Sequence, residues 1–226
     1  MESLSRLDRP SPAVAVLTLE RPERRNALSV ALRDQIADRL DALRADETVK
    51  VVVVTGAGPV FSAGFDLREF EQAAADPAFA DTLWASSDRY HHAVAEFPLV
   101  TIAAVNGPAV AGGFDLAVLC DLRVASTTAR FSHPEYTFGD VVYGPLHDLV
   151  GGALARDLCF TGRVLSAAEA LAAGLVSDVV EPEHLLDAAL ALADRVALAP
   201  RANLIRTKAK ALARSGVSRA GGTLDL

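Results

Sequence analysis

Apolar positions in this chain alternate between two spacings, and the switch from one to the other sets the expected fold class. Val14 to Glu20 alternates apolar and polar residues loosely and predicts a strand, ended by Arg21-Pro22. After Ser29, Leu32, Ile36, Leu40 and Leu43 recur at helical spacing with charges between them, which predicts an amphipathic helix reaching roughly Ala45. Val49 to Thr55 then contains four consecutive valines, the pattern of a strand covered on both faces, and implies a parallel or mixed α/β arrangement. The cycle repeats: helical sequence up to Phe97, an apolar strand from Leu99 to Val105, a helix from near Gly112, and a short strand from Leu122 to Ala125. Ser166-Ala-Ala-Glu169 is a capping box opening a short helix that Gly174 ends. Val176 to Val180 is strand-like, helices are expected from Pro182 to Ala197 and from Pro200 to Arg214, and Ser215 to Leu226 is expected to be a loose tail.

Composition narrows the picture. With 226 residues, 51% of them hydrophobic, the chain can bury a sizeable core, and no Pro-, Gly- or Ser-rich linker divides it. We therefore expect one domain over residues 1–226, with a helical C-terminal part from about residue 182. Leu99 to Phe114 is interrupted by Thr101, Asn106, Gly107 and Pro108, so it is no membrane span, and Met1 to Pro12 lacks the apolar run of a signal peptide. Cys120 and Cys159 lie among apolar neighbours and read as buried free thiols, which fits a cytoplasmic protein. A net charge of −7 argues against non-specific nucleic-acid binding. The local basic clusters, Arg24 with Arg25 and Arg206 with Lys208 and Lys210, read as solvated faces that a polyanionic ligand could use.

An internal echo carries the chemistry. Ser62-Ala-Gly-Phe-Asp-Leu67 and Ala111-Gly-Gly-Phe-Asp-Leu116 nearly repeat, each following a buried strand and opening a helix. The first N–H groups of a helix have no internal acceptor and point outward. Two such turns facing each other would aim two donors at one oxygen, which is how an oxyanion hole is built. Either turn alone is a tight strand-to-helix connection; the pair, with an acid at the same place in each, favours function.

With these motifs the chain resembles the crotonase superfamily, the enoyl-CoA hydratases and isomerases, from about Val14 to Leu212. The match includes Arg21-Pro-Glu-Arg-Arg-Asn-Ala-Leu28, Phe61 to Leu67, Ile102-Ala-Ala-Val-Asn-Gly107 leading into Ala111 to Leu116, Cys120 to Ala125, Phe131-Ser-His-Pro-Glu135 and Thr161 to Ala170. The resemblance implies an α/β spiral of repeated β-β-α units with C-terminal helices, assembled as a trimer or dimer of trimers. It implies that the N–H groups of Phe65 and Gly112 hold a thioester oxygen, and that Asp115 and Glu135 stand where hydratases keep two water-holding carboxylates. Arg25 and Ala27 match positions along the CoA phosphates and pantetheine. Ala63, Asp66 and Leu67 match the adenine-side loop, and Gly113 belongs with the substrate-binding set. No separate cofactor is implied, since coenzyme A is part of the substrate.

The chain departs from the family pattern in three places. Asp115 stands where hydratases hold Glu. The stretch Tyr136 to Val150 lacks the usual glycine-rich turn and offers Asp140, Tyr143 and His147 instead. The sequence ends at Leu226 without the closing helices that cover CoA, so a neighbouring subunit is expected to cover apolar surface. The expected activity is hydration of a 2-enoyl-CoA. An isomerase, another enolate-forming activity such as decarboxylation or hydrolysis, and a catalytically silent CoA-ester-binding or assembly subunit are its rivals. Gly56-Ala-Gly58 lacks the third glycine of a dinucleotide fingerprint, and no Gly-x-Ser-x-Gly elbow occurs. His91-His92 reads as an exposed pair rather than a metal site. His133 either contacts substrate or caps its turn, while Tyr143 and His147 are expected to be structural.

Overall fold

The computed structural model describes residues 3–215. The first half runs β1 (Ser5–Ser11), β2 (Val14–Leu19), α1 (Val30–Ala45), β3 (Val51–Gly56), α2 (Leu67–Ala75), α3 (Pro77–Ala95) and β4 (Val100–Val105). It continues with β5 (Ala109–Val110), α4 (Gly112–Leu119), β6 (Leu122–Ser126), β7 (Arg130–Ser132) and α5 (Gly144–Thr161). The last part comprises β8 (Leu165–Ser166), α6 (Ala167–Ala172), β9 (Asp178–Val180), α7 (Leu185–Ala197) and α8 (Arg201–Arg214).

The large sheet has the strand order β1-β2-β3-β4-β6-β9, parallel throughout except for the antiparallel pair β1–β2. The valine run explains its thickness. Val52 and Val54 face one core with Leu17, Ile36, Leu40 and Phe97, while Val51 and Val53 face a second with Leu185, Ala189 and Ala193 of α7. Each fully buried valine contributes roughly 1.5–3 kcal/mol of transfer free energy, so a strand apolar on both sides is stable only where both sides are covered.

A smaller sheet, β5-β7-β8, lies beside the first, with β5 parallel and β8 antiparallel to β7. Single parallel bridges extend it, Ser62 to Ala109 and Leu28 to Phe65. Successive passes of the chain therefore give a strand to the large sheet, a short segment to the small one, and then a helix. This is the mixed α/β spiral that the resemblance implies.

Local sequence sets the helix ends as expected. Ser29 Oγ accepts from Leu32 N at 3.3 Å to open α1. In α6, Ser166 and Glu169 cap each other reciprocally, with Ser166 N 2.8 Å from Glu169 Oε2. α8 is pinned to the sheet by a buried cation: Lys208 Nζ donates to Leu99 O at 2.9 Å and to Asp121 Oδ2 at 2.7 Å. Cys120 and Cys159 are free and buried.

Several elements were not anticipated, among them the short strands β5, β7 and β8 of the smaller sheet. The polar N-terminal segment forms the edge strand β1, and a helix, α5, occupies the second half of the unusual stretch, interrupted at Gly151 (φ 76°, ψ 161°). The expected tail beyond residue 215 lies outside the described residues. Among the described residues no helix is long and apolar enough to cross a membrane.

Candidate active site

The site is assembled by stitching three loops together. Arg25 and Asn26 both have φ of 52°, a left-handed bend that turns the chain back on itself. Asn26 is fully buried and holds the bend from inside. Its Oδ1 accepts from Arg21 N at 3.0 Å, and its Nδ2 donates to Ala57 O at 2.9 Å and Val60 O at 2.7 Å. The next loop fastens onto this one: Ser62 Oγ donates to Asn26 O at 2.8 Å, Ala63 N to Arg25 O at 2.9 Å, and Leu28 N to Gly64 O at 2.8 Å.

The two echoed turns then meet. Val110 N donates to Ser62 O at 2.9 Å. The approach is too close for side chains: a Cβ on Gly113 would lie 2.3 Å from Ser62 O, and one on Gly64 (φ 82°) would lie 2.8 Å from Val110 O and 3.0 Å from Gly112 N. Between them, Ala111 sits at φ 52°, ψ −129°, a conformation that costs a non-glycine residue on the order of 1–3 kcal/mol. It is held by its own N–H, which donates to Ser132 O at 2.9 Å, and it launches α4.

Gly64, the residue before Phe65, thus packs against Gly112, and among the described residues neither the Phe65 nor the Gly112 N–H has a backbone acceptor within the chain. The Phe65 ring covers Gly112, where a Cβ would lie 2.9 Å from its Cδ1. Behind Phe65 stands the guanidinium of Arg33, fully buried, 4.3 Å from the ring centroid and donating to Leu28 O at 2.8 Å. Arg33 thereby backs both Phe65 and the residue that pairs with it.

The acids come from different elements. Asp115 lies on the first turn of α4, three residues beyond Gly112, and Glu135 on a 3-10 turn after β7. Both are buried, with His133 between them: His133 Nδ1 is 2.9 Å from Glu135 Oε1 and 3.8 Å from Asp115 Oδ1. Asp115 Oδ1, Glu135 Oε2 and His133 Nε2 are buried without a hydrogen-bond partner. Buried polar atoms are rarely left so, and three together mark a place where a ligand or water is received. Burial pushes the Asp115 carboxyl up to about 7, assisted by the charge of Glu135 and opposed by His133. Burial disfavours the His133 imidazolium, but the hydrogen bond to Glu135 and the charges of both acids outweigh it, and its pKa is raised.

The Asp115 shift makes a stability prediction. Between pH 4 and pH 7 the folded chain holds a proton at Asp115 that the unfolded chain, with an ordinary value of 3.8, has released. Folding stability contributed by this group therefore falls as pH rises through that window and is level above it. Asp115→Asn should gain on the wild type by on the order of 1–4 kcal/mol between pH 4 and pH 7.5, measured by urea unfolding. A constant difference across that range would refute the shifted carboxyl.

The other residues named from the sequence fall around this centre. Asp66 caps α2, accepting from Arg68 N at 3.3 Å, and pairs with Arg21 at 3.2 Å. Arg25 and Leu67 are exposed, Ala27 and Ala63 partly buried beside the stitched loops, and Gly113 is buried where the two turns touch. Two expectations are corrected. Lys208 does not lie on a solvated face but is buried, bonded to Leu99 O and Asp121, and His91 and His92 are not an exposed pair. His92 is exposed, but His91 is buried beside Tyr90 and Phe65, with its Nδ1 2.9 Å from Ser87 O and its pKa pushed down to about 4 by burial. The cause is helical geometry, which turns adjacent residues about 100° apart on α3. The Tyr143 and His147 rings pack at 5.5 Å, tilted by 43°, where α5 begins, His147 lies 3.5 Å from Asp148, and Asp140 is exposed.

The enoyl-CoA hydratase/isomerase family model matches residues 9–220. The chain belongs to this family. Among its relatives, the 2,3-dehydroadipyl-CoA hydratase of Escherichia coli is 40% identical over 192 residues, 81% of this chain and 72% of its own. The crystal structure of an enoyl-CoA hydratase from Bacillus anthracis superposes with a TM-score of 0.86 at 30% identity, covering 94% of this chain and 83% of the other. That of enoyl-CoA hydratase EchA8_6 from Mycobacterium marinum gives 0.86 at 34% identity, over 93% of this chain and 100% of its own. Within the family frame, the supporting roles of Asn26 and Arg33 were missed from sequence, and His133 was left open between substrate contact and turn cap. Asn26 and His133 fall inside quoted motifs, but Arg33 lies on a helix whose apolar spacing drew attention away from it.

Proposed function

We propose that the chain is an enoyl-CoA hydratase that adds water across the 2,3-double bond of a 2-enoyl-CoA thioester. The observation that carries this reading is the pairing of two free N–H donors with two buried carboxylates that each keep one unpartnered oxygen. In this reading the thioester oxygen lies between the N–H groups of Phe65 and Gly112, and water bridges Asp115 and Glu135. Water oxygen bonds to C3, the double-bond electrons move to the thioester oxygen as an enolate, and C2 takes a proton as the enolate collapses. One carboxylate accepts a proton from the water and the other supplies the proton to C2, so the pair ends with as many protons as it began. A single lost oxyanion donor costs about 2.7–4 kcal/mol in comparable sites, which makes the N–H pair as important as the acids. Arg25, Ala27, Ala63, Asp66, Leu67 and Gly113 would line the CoA moiety. Coenzyme A enters as part of the substrate, with no separate cofactor.

The test is product analysis with a panel of 2-enoyl-, 3-enoyl- and β-keto-acyl-CoA esters. Hydration of 2-enoyl esters as the fastest reaction supports the reading. Double-bond migration as the main activity would replace it with an isomerase, which needs only one carboxylate. Binding without turnover of any ester would make the chain a CoA-ester-binding subunit. A homo-oligomer, a trimer or dimer of trimers, belongs to the same proposal, supported by the exposed apolar side chains of Tyr136, Phe138 and Phe160. Light scattering that gives a monomer at micromolar concentration would reject it.

A further inference from the structure

Between the two carboxylates sits a titratable group for which the two-acid mechanism has no use. His133 has no solvent exposure (0%), and its Nδ1 stands 2.9 Å from Glu135 Oε1. An ionised carboxylate only accepts hydrogen bonds, so Nδ1 carries the hydrogen and donates. The ring cannot easily turn away. It stacks on Phe114 at 4.7 Å and 27°, and Phe114 packs on Phe131 at 5.2 Å. Phe114 is the residue before Asp115, and Ser132, the residue before His133, supplies the carbonyl that holds the strained Ala111. One ring is thus tied to both acids and to the turn that presents Gly112.

We propose that His133 is a positioning residue for the reaction: its Nδ1–H grips Glu135 by Oε1 and thereby leaves Oε2 as the oxygen that handles the proton. The inference rests on the hydratase reading for the identity of that proton. The two unpartnered oxygens and the occupied third are what such a grip leaves behind. Without it the Glu135 carboxylate can swing about its own bonds, and a displacement of about 1 Å in a catalytic group costs on the order of 10²-fold in rate.

The grip also has an electrostatic side. Asp115 from α4 and Glu135 from the 3-10 turn face His133 directly; the Cys159 thiol of α5 feels both carboxylates, and Tyr90 of α3 faces Asp115. Arg33 also acts on Tyr90, and His133, when protonated, eases ionisation of Asp115. Removing it should move the ionisation of Asp115 to higher pH.

The experiment compares His133→Phe and His133→Asn on the 2-enoyl-CoA ester that the wild type hydrates fastest. Phenylalanine keeps the stack on Phe114 and removes the N–H. It should lower kcat by about 10–100-fold with KM within about threefold, and move the ionisation limb of the kcat/KM profile to higher pH. Asparagine places an amide N–H near the Nδ1 position and should restore most of kcat while the limb stays shifted. A kcat for the phenylalanine variant within about twofold of wild type, or a limb that neither variant moves, overturns the proposal. Should His133→Phe not fold, the asparagine profile and the next measurement decide. Nitrogen NMR of the histidine-labelled full chain should show His133 protonated at Nδ1, with a signal that Glu135→Gln displaces. A His133 signal indifferent to Glu135→Gln overturns the grip. This holds even if no 2-enoyl ester is hydrated, an outcome that by itself refutes only the hydratase reading.

Discussion

Glu135→Gln should lower hydration by about 10²–10⁴-fold while leaving affinity for the thioester nearly unchanged. The substitution keeps the size of the side chain and an oxygen for His133 to hold, but removes the group that exchanges a proton. Glu135 Oε2 is buried without a hydrogen-bond partner, so among the described residues no polar group already bonded to that atom stands ready to exchange the proton in its place. Single-turnover rates and ester affinity, measured on the same preparation, separate chemistry from binding. A near-normal rate on every ester that the wild type accepts would remove Glu135 from the mechanism and leave Asp115 alone.

The second large effect is expected from a single methyl group. Gly64→Ala should cost about 10²–10³-fold in kcat, the loss associated with one misplaced oxyanion donor. The added Cβ would lie 2.9 Å from Ala111 Cβ as well as 3.0 Å from Gly112 N, and the backbone there has no flexible side chain to yield. The turns must separate, and the two N–H groups with them. Alanine at positive φ also lowers stability, so a control is needed. Gly174 has a similar φ of 74° with nothing within 4 Å of its would-be Cβ, so Gly174→Ala carries the backbone penalty without the collision. Thermal melts and kcat of both variants distinguish unfolding from a spoiled site. Equal kcat in the two variants would mean that the spacing of the turns does not matter to the reaction.

Much of this architecture was legible in the amino-acid order because its determinants are local. The valine run reads as a doubly covered strand wherever it lies, and Ser29, Ser166 with Glu169, and Gly174 mark helix ends by chemistry confined to a few residues. β1 was not legible. Its Arg6 and Asp8 lie on an edge strand, where polar side chains face water, and only its pairing with β2 defines it. α5 was hidden by Gly144, Pro145, Gly151 and Gly152, which break the apolar rhythm, and the helix does bend out of helical geometry at Gly151. At the site, the echoed turns could be read from the sequence as a pair, and the structure packs them against each other at Gly64, Ala111 and Gly113. The His133–Glu135 bond did not show, because it depends on the stacking of His133 against Phe114, a contact made only once β7 lies beside α4.

The two donor turns are successive coils of one spiral, joined edge to edge by Ser62 and Ala109. Their spacing is therefore set by the pitch of the spiral, a property of the strand-to-strand repeat rather than of any side chain that meets the acyl group. Segments that leave this joint and return to it, such as α2 with α3 or the stretch before α5, can change length or sequence without altering that pitch. If the proposed reaction holds, such a chain divides the labour between a fixed frame that would polarise a thioester and excursions free to shape the acyl pocket. Exchanging those excursions between relatives is then a route to new acyl specificity that leaves the frame intact.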